Sequence, residues 1–265
     1  RVHQLEPASR VLVASAHTWD PCLGDVASTL AAGASLCVAS RAYVVNNLAE
    51  CLSRLEATHV CVTPSLWSLL AAAPTALPSL RVVALGGEKL PLSAVAPWIA
   101  AGVDVLNTYG VTEATVYQTA AHLATLPSHG HTAAPAGHAF RGVSLATTPV
   151  DGHAHCGARE LLVGGVQLAR GYLNRAELTE AKFVWLDESQ LERLPTAPGD
   201  EGDGVTARQR WFRTGDLVEW TATGGLQVLG RLDEQVKLRG MRVELGEIEA
   251  AALRSDLVAA AAAAA

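Results

Sequence analysis

Along the first hundred residues, short β-branched runs alternate with Ala/Leu-rich stretches of helical spacing. Residues 11–14, 35–38 and 59–62 have the length and composition of strands, whereas 24–32 and 48–55 keep a helical period. The alternation predicts β-α-β units. Residues 81–85 form a further apolar run that ends in Gly86-Gly87-Glu88. A helix is predicted over 93–101 and another strand over 103–106. In open α/β sheets ligands collect beyond the carboxyl ends of strands, so the loops at 86–88 and 107–113 are where chemistry is expected.

From Gly137 onward the texture becomes Gly-punctuated and β-rich, with apolar segments at 160–165, 211–213 and 226–229. Residues 188–208, rich in Pro, Gly, Asp and Glu, read as an exposed insertion without a function. After Asp233 the chain is strongly charged and then helical through residue 250, which predicts a unit at 1–232 and the start of a second, smaller one at 233–265. The run at 259–265 is all alanine and carries helix propensity alone. The expected class is α/β: mixed β-sheets with flanking helices, a β-rich segment, and the beginning of a small α+β subdomain.

Composition narrows the partners. The 265 residues are 49% hydrophobic and 17% charged, enough to bury a sizeable core, and the net charge is −6. No basic block is present, which argues against nucleic acid and anionic membrane and for a small molecule. Five cysteines, odd in number and never spaced C-x-x-C, point to a reducing, cytoplasmic setting. No apolar stretch reaches membrane-spanning length. His122, His129, His131, His138, His153, His155 and Cys156 lack any recognised ligand spacing, so no metal centre is expected of them. Neither a G-x-S-x-G elbow nor a G-x-x-x-x-G-K-[ST] loop occurs.

Three segments could carry chemistry. Asn107-Thr108-Tyr109-Gly110-Val111-Thr112-Glu113 joins a strand end, an aromatic face, a hydroxyl and a carboxylate, a set able to stack a base and hold phosphate and Mg2+. Phe212-Arg213-Thr214-Gly215-Asp216-Leu217 allows a tight turn that offers two carboxylate oxygens to a diol. Residues 230–240 are densely charged. Taken singly, an ordinary loop, an Asx turn and a solvated hairpin explain them equally well.

Taken in order, the segments resemble the adenylate-forming enzymes, specifically adenylation domains of nonribosomal peptide synthetases. The resemblance is carried by Thr18-Trp19-Asp20-Pro21, the 107–113 segment, Glu160-Leu161-Leu162-Val163-Gly164-Gly165 continuing into 168–173, the 212–217 segment, and residues 230–249. It implies that MgATP and an amino acid react to an aminoacyl-adenylate and pyrophosphate. The acyl group would then pass to the phosphopantetheine thiol of a peptidyl carrier domain, with a condensation domain as neighbour.

The resemblance also implies roles. Tyr109 would stack on adenine with Gly86 and Gly87 flanking the base, and Asn107 would belong to the same nucleotide site. Thr112 would touch the α-phosphate, Glu113 would bind Mg2+, and Asp216 would hold the ribose hydroxyls. Arg231 would face the nucleotide, Asp233 would be the hinge of the small subdomain, and residues 237–240 would line the path of the pantetheine arm.

Asp20 would pair with the substrate α-ammonium, a role that acyl- or aryl-CoA ligases of the same superfamily do not need. Pro21, Gly24, Ser65, Val83, Leu85, Thr108, Val116 and Tyr117 would line the side-chain pocket. With none of them charged and Gly24 leaving room, a neutral, fairly bulky side chain is expected.

Two family elements do not fall inside the sequence. A Ser/Thr/Gly-rich phosphate loop would precede Asp20 by several tens of residues, and a catalytic lysine would follow Glu249 beyond the remaining length. The sequence is therefore expected to be the central part of such a domain, inactive alone. A catalytically inactive nucleotide-binding scaffold is the alternative of another class, and the intact Tyr109, Thr112, Glu113, Asp216 and Arg231 argue against it.

Overall fold

The computed structural model describes residues 3–124, 133–150, 159–193, 208–221, 225–233, 235–238, 241–254 and residue 263. Chain order begins β1 (Arg10–Leu12), α1 (Asp20–Ala31), β2 (Ser35–Cys37), α2 (Arg41–Asn46), α3 (Leu48–Arg54), β3 (His59–Val62), α4 (Pro64–Ser68), β4 (Val82–Gly86), α5 (Ala96–Ala100) and β5 (Asp104–Tyr109). The chain then turns antiparallel through β6 (Thr119–His122) and β7 (His138–Ala139). Among the described residues these strands make one sheet in the order β2-β1-β3-β4-β5-β6-β7, parallel as far as β5.

Local chemistry sets the helix starts. Pro21 occupies the first turn of α1, where its missing N–H costs nothing. Ser40 caps α2 by accepting the Tyr43 N–H, and Thr63 caps α4 by accepting that of Leu66. The helix predicted over 93–101 is split into a single 3-10 turn at Leu92–Ala94 followed by α5. Pro97 is the cause, because it supplies no N–H and can stand only in a first turn.

The first sheet is covered on both faces. Leu12, Val60, Val83, Leu85 and Val105 pack with Val44, Leu48 and Leu52 of the helices and with the edge-to-face pair Trp67 and Trp98. Cys61, Val82, Ala84 and Leu106 lie together on the opposite face beside Tyr117. Strands buried on two faces read as continuous apolar runs, which is why 59–62 and 81–85 show no alternation.

The second sheet is antiparallel and holds β8 (Val143–Pro149), β9 (Arg159–Gly165), β10 (Phe183–Asp187), β11 (Glu192–Arg193), β12 (Arg208–Trp220) and β13 (Leu226–Arg231). A helix, α6 (Ala176–Lys182), leads into β10. Within the region read as an exposed insertion, Glu188–Gln190 forms a 3-10 turn and β11 pairs with β8, while residues 194–207 lie outside the described residues. One expectation is corrected here: the run expected at 211–213 extends into a strand of 13 residues. Its Trp211 and Phe212 are buried, whereas its polar positions found cross-strand partners that a one-strand pattern does not display.

Beyond Asp233, β14 (Gln235–Leu238) and β15 (Met241–Glu244) pair as a separate two-stranded hairpin, followed by α7 (Leu245–Ala252). The mixed architecture agrees with the expected class. Of the 259–265 alanine run, all but residue 263 falls outside the described residues, as do His129, His131, His153, His155 and Cys156.

Candidate functional site

At the carboxyl ends of β3, β4 and β5, where α1 begins, a narrow cleft of about 370 Å³ including its open mouth is lined by Trp19, Asp20, Pro21, Cys61, Val62, Gly86, Gly87, Gly110, Thr112, Val116 and Tyr117, with Ser15 at its edge. This is the ligand-binding position anticipated for a parallel sheet.

Asp20 is fixed by both carboxylate oxygens. The Thr112 hydroxyl donates to Oδ1 at 3.0 Å and the Val116 N–H donates to Oδ2 at 2.7 Å. The segment it grips is tightly kinked, with Thr115 and Val116 both at φ 63°, a region that β-branched residues rarely occupy. Such strain persists only where surrounding contacts over-determine it. Gly110 is one of those contacts: a Cβ there would stand 1.8 Å from the Val116 carbonyl oxygen.

Among the expected pocket residues, Pro21, Val116 and Tyr117 line the cleft. Val83 and Leu85 do not. They are fully buried on the helix-covered face of β4, and Ala84 and Gly86 take the cleft side, a one-residue phase error that turns every side chain to the other face. Ser65 is also outside the lining, because its N–H and hydroxyl both donate to Glu88 Oε2, at 2.9 and 2.5 Å. Thr108 is buried and its hydroxyl donates to the Leu85 carbonyl. Gly24 leaves no room: Val116 fills the space, and a Cβ on residue 24 would meet Val116 Cγ1 at 2.9 Å. The inference of a bulky side chain therefore loses its premise. Cys61 belongs to the lining and was missed, because one position in an apolar strand shows no facing direction.

The expected nucleotide residues fall into two groups. Gly86, Gly87 and Thr112 are at the cleft. Asn107 is not, since its side-chain amide donates to the carbonyls of Ala134 and Pro135 and ties down the segment that leads into β7. Glu113 lies buried just behind Thr112 and accepts a hydrogen bond from the Tyr172 hydroxyl at 2.6 Å. Tyr172 is a neighbour that the sequence placed in a motif without a role.

Tyr109 and Asp216 join the two sheets. The Tyr109 hydroxyl donates to Asp216 Oδ2 at 2.6 Å, and burial, then the adjacent Asp216 charge, pushes the phenol well above its usual range. Asp216 reaches that position because β12 breaks register with β9 between Arg213 and Leu217, at Thr214-Gly215-Asp216. Glu160 holds the irregularity, taking Arg213 on one oxygen and the Gly215 N–H on the other.

Opposite Asp216 in the β12–β13 register stands Arg231. Its Nη1 donates to Asp216 Oδ1 at 2.7 Å, while Nε and Nη2 grip both oxygens of Asp233 at 2.6 and 2.9 Å. Burial opposes the Arg231 charge, yet the Asp233 bond and the charges of Asp216 and Asp233 hold the guanidinium above its ordinary range. Among the described residues, no group of three or more His, Cys, Asp and Glu could hold a metal ion, and no helix is long and apolar enough to cross a membrane.

A family model described as AMP-binding enzyme matches residues 1–173. The phosphinothricin tripeptide synthetase PhsC of Streptomyces viridochromogenes is 39% identical over 247 residues, which cover 92% of this chain and 21% of the relative. Among solved structures, the Vibrio cholerae adenylation domain AlmE in complex with glycyl-adenosine-5'-phosphate superposes with a TM-score of 0.79 at 29% identity, over 97% of this chain and 47% of that one. A holo NRPS protein containing adenylation and PCP domains, bound to a vinylsulfonamide inhibitor, superposes with a TM-score of 0.74 at 26% identity, over 93% of this chain and 41% of that one. The chain spans 2–21% of the length of the curated relatives it matches.

Proposed function

This chain belongs to the AMP-binding enzyme family, as an adenylation domain of the nonribosomal peptide synthetase kind, and from that premise we propose that it selects an amino acid and activates it with ATP as the aminoacyl-adenylate. The observation that carries this reading is Asp20, a carboxylate held by Thr112 and Val116 in a cleft whose other lining residues are neutral. A primary ammonium is the complement that such a site lacks. A site built for a fatty or aryl acid has no use for it.

In this reading Thr112 and the backbone of the 110–116 turn face the α-phosphate, the Gly86-Gly87 corner flanks the base beside Tyr109, and Asp216 takes the ribose diol. Mg2+ commonly takes one or two carboxylates plus phosphate oxygens, and Glu113, buried behind Thr112 and bonded by the Tyr172 hydroxyl, would be the carboxylate that holds it. The ion would supply charge neutralisation at the phosphates. The chain's own groups do the positioning, which is the larger part of such transfers.

The next steps follow the same reading. Asp233 is the hinge that divides 1–232 from 233–265, and the acyl group passes to a phosphopantetheine thiol on a carrier domain, with a condensation domain adjoining, in the cytoplasm. The similarity to an NRPS protein containing adenylation and PCP domains supports the carrier partner.

Amino-acid-dependent ATP–pyrophosphate exchange by the complete polypeptide that carries this sequence is the test. Exchange with one amino acid, lost when Asp20→Asn raises its KM at least about 100-fold with little change in ATP KM, is the expected result. ATP binding without exchange across the whole panel would remove the activation role.

A further inference from the structure

Two donors hold Asp20, and they differ in freedom. The Val116 N–H belongs to a turn that is fastened from within. Gln118, fully buried, donates to the Ala114 carbonyl and accepts the Val111 N–H, and the Thr115 hydroxyl donates to the Gln167 carbonyl. That N–H cannot leave Asp20 Oδ2 unless the turn unwinds. The Thr112 hydroxyl is the opposite case. Thr112 is exposed at the cleft and its O–H turns about single bonds, so its bond to Oδ1 can be given up with no change of backbone.

A hydroxyl has one proton to donate. The structure shows that of Thr112 on Asp20, whereas the reading above sets it on the α-phosphate, and it cannot serve both acceptors at once. The choice is not neutral for Asp20. A hydrogen bond to an ionised carboxylate stabilises its charge and lowers its pull on a further cation, so Asp20 with one donor attracts an ammonium more strongly than Asp20 with two.

We propose that Thr112 is a positioning residue that couples the two substrates. When the α-phosphate accepts its hydroxyl, Asp20 Oδ1 is released to the α-ammonium while the Val116 N–H keeps the carboxylate aimed, so nucleotide and amino acid each tighten the other. The inference rests on the amino-acid-activation reading above, in which Thr112 faces the phosphate and Asp20 the ammonium.

Reciprocity is required by thermodynamics: whatever factor the nucleotide adds to amino-acid affinity, the amino acid returns to the nucleotide. A hydrogen bond to a charged group is worth at least about a tenfold change in an equilibrium constant, which sets the size of the effect. The coupling needs no movement of a domain, because one hydroxyl changing its acceptor within the cleft is sufficient.

The experiment is calorimetric titration of the complete polypeptide carrying this sequence, with α,β-methylene-ATP as nucleotide probe and each of the twenty proteinogenic amino acids as ammonium probe. The tightest-binding amino acid is then measured with and without saturating nucleotide. The expected result is an amino-acid Kd at least about 10-fold lower with the nucleotide present. Thr112→Val should shrink that difference below about twofold, and from a direction that a merely structural role would not give. Without nucleotide the variant should bind the amino acid more tightly than the wild type, while its Kd for α,β-methylene-ATP rises. Thr112→Ser keeps the hydroxyl and should restore the coupling. No difference in the wild type, or a difference undiminished in a folded Thr112→Val variant, overturns the coupling and leaves amino-acid activation standing. If that variant does not fold, the wild-type difference alone decides. Binding of no amino acid under either condition overturns the activation reading, and this inference with it.

Discussion

The hydroxyl of Tyr109 and the carboxylate of Asp216 meet at 2.6 Å although 107 residues separate them, and they come from different sheets. The parallel sheet that bears the cleft is thereby tied to the antiparallel sheet that bears the expected ribose ligand.

Tyr109→Phe keeps the ring and removes the bond. Because the acceptor is charged and buried, the loss should cost roughly 2 kcal/mol of stability, read as a lower urea midpoint with an unchanged slope. The same variant should raise ATP KM more than amino-acid KM, since Asp216 loses the group that aims it.

Arg231→Ala should be the more damaging change. It leaves Asp216 buried without its cation, at a cost of about 3 kcal/mol or more, and thermal unfolding would show it. Arg231→Lys should recover part of the loss, because an ammonium restores charge but cannot bond Asp216 and both oxygens of Asp233 at once. Equal melting temperatures for the Ala and Lys variants would mean that the geometry of the fork is irrelevant.

Gly110→Ala tests the packing behind the kinked segment. The new methyl would occupy the place of the Val116 carbonyl, so the loop must move and Asp20 must lose its Val116 hydrogen bond. A destabilisation of about 3 kcal/mol or more is expected, together with loss of exchange activity. Full activity in this variant would show that the Thr115-Val116 conformation is dispensable.

Stability should also depend on pH through Asp25. Its acid titrates near 8 in the fold against an ordinary value near 3.8, so between those limits the native chain holds a proton that the unfolded chain has released. The contribution is complete below pH 4 and is lost as pH rises towards 8, at roughly 1.4 kcal/mol per pH unit. Asp25→Asn should flatten that slope. Parallel stability curves for the two proteins between pH 5 and 8 would refute it.

Much of the scaffold was legible because its period is strong. The strands near residues 35, 59 and 82 and the helices near 24 and 48 fall where β-branched runs and helical spacing put them. Asp20, Pro21, Thr112, Val116 and Tyr117 likewise came to the cleft. The rest was hidden for physical reasons. Strand β4 is apolar on both faces, so nothing in Val82-Val83-Ala84-Leu85 says which residues look at a ligand, and Val83 and Leu85 were placed on the wrong side. Asp25 reads as an ordinary polar helix position until its burial is seen. Gly24 reads as open space, whereas a residue 92 positions away fills it.

One guanidinium joins two carboxylates, with Asp216 on one side and Asp233 on the other. Any rotation of the backbone at Asp233 must first break a two-pronged grip, and afterwards Arg231 is left with Asp216 and the Thr214 carbonyl. With Asp233 as the proposed hinge, motion there would be a click between discrete positions rather than a drift, and Asp216, the proposed ribose ligand, would feel each click through a shared partner. The fold has in effect wired a latch to the place where the nucleotide is expected to sit.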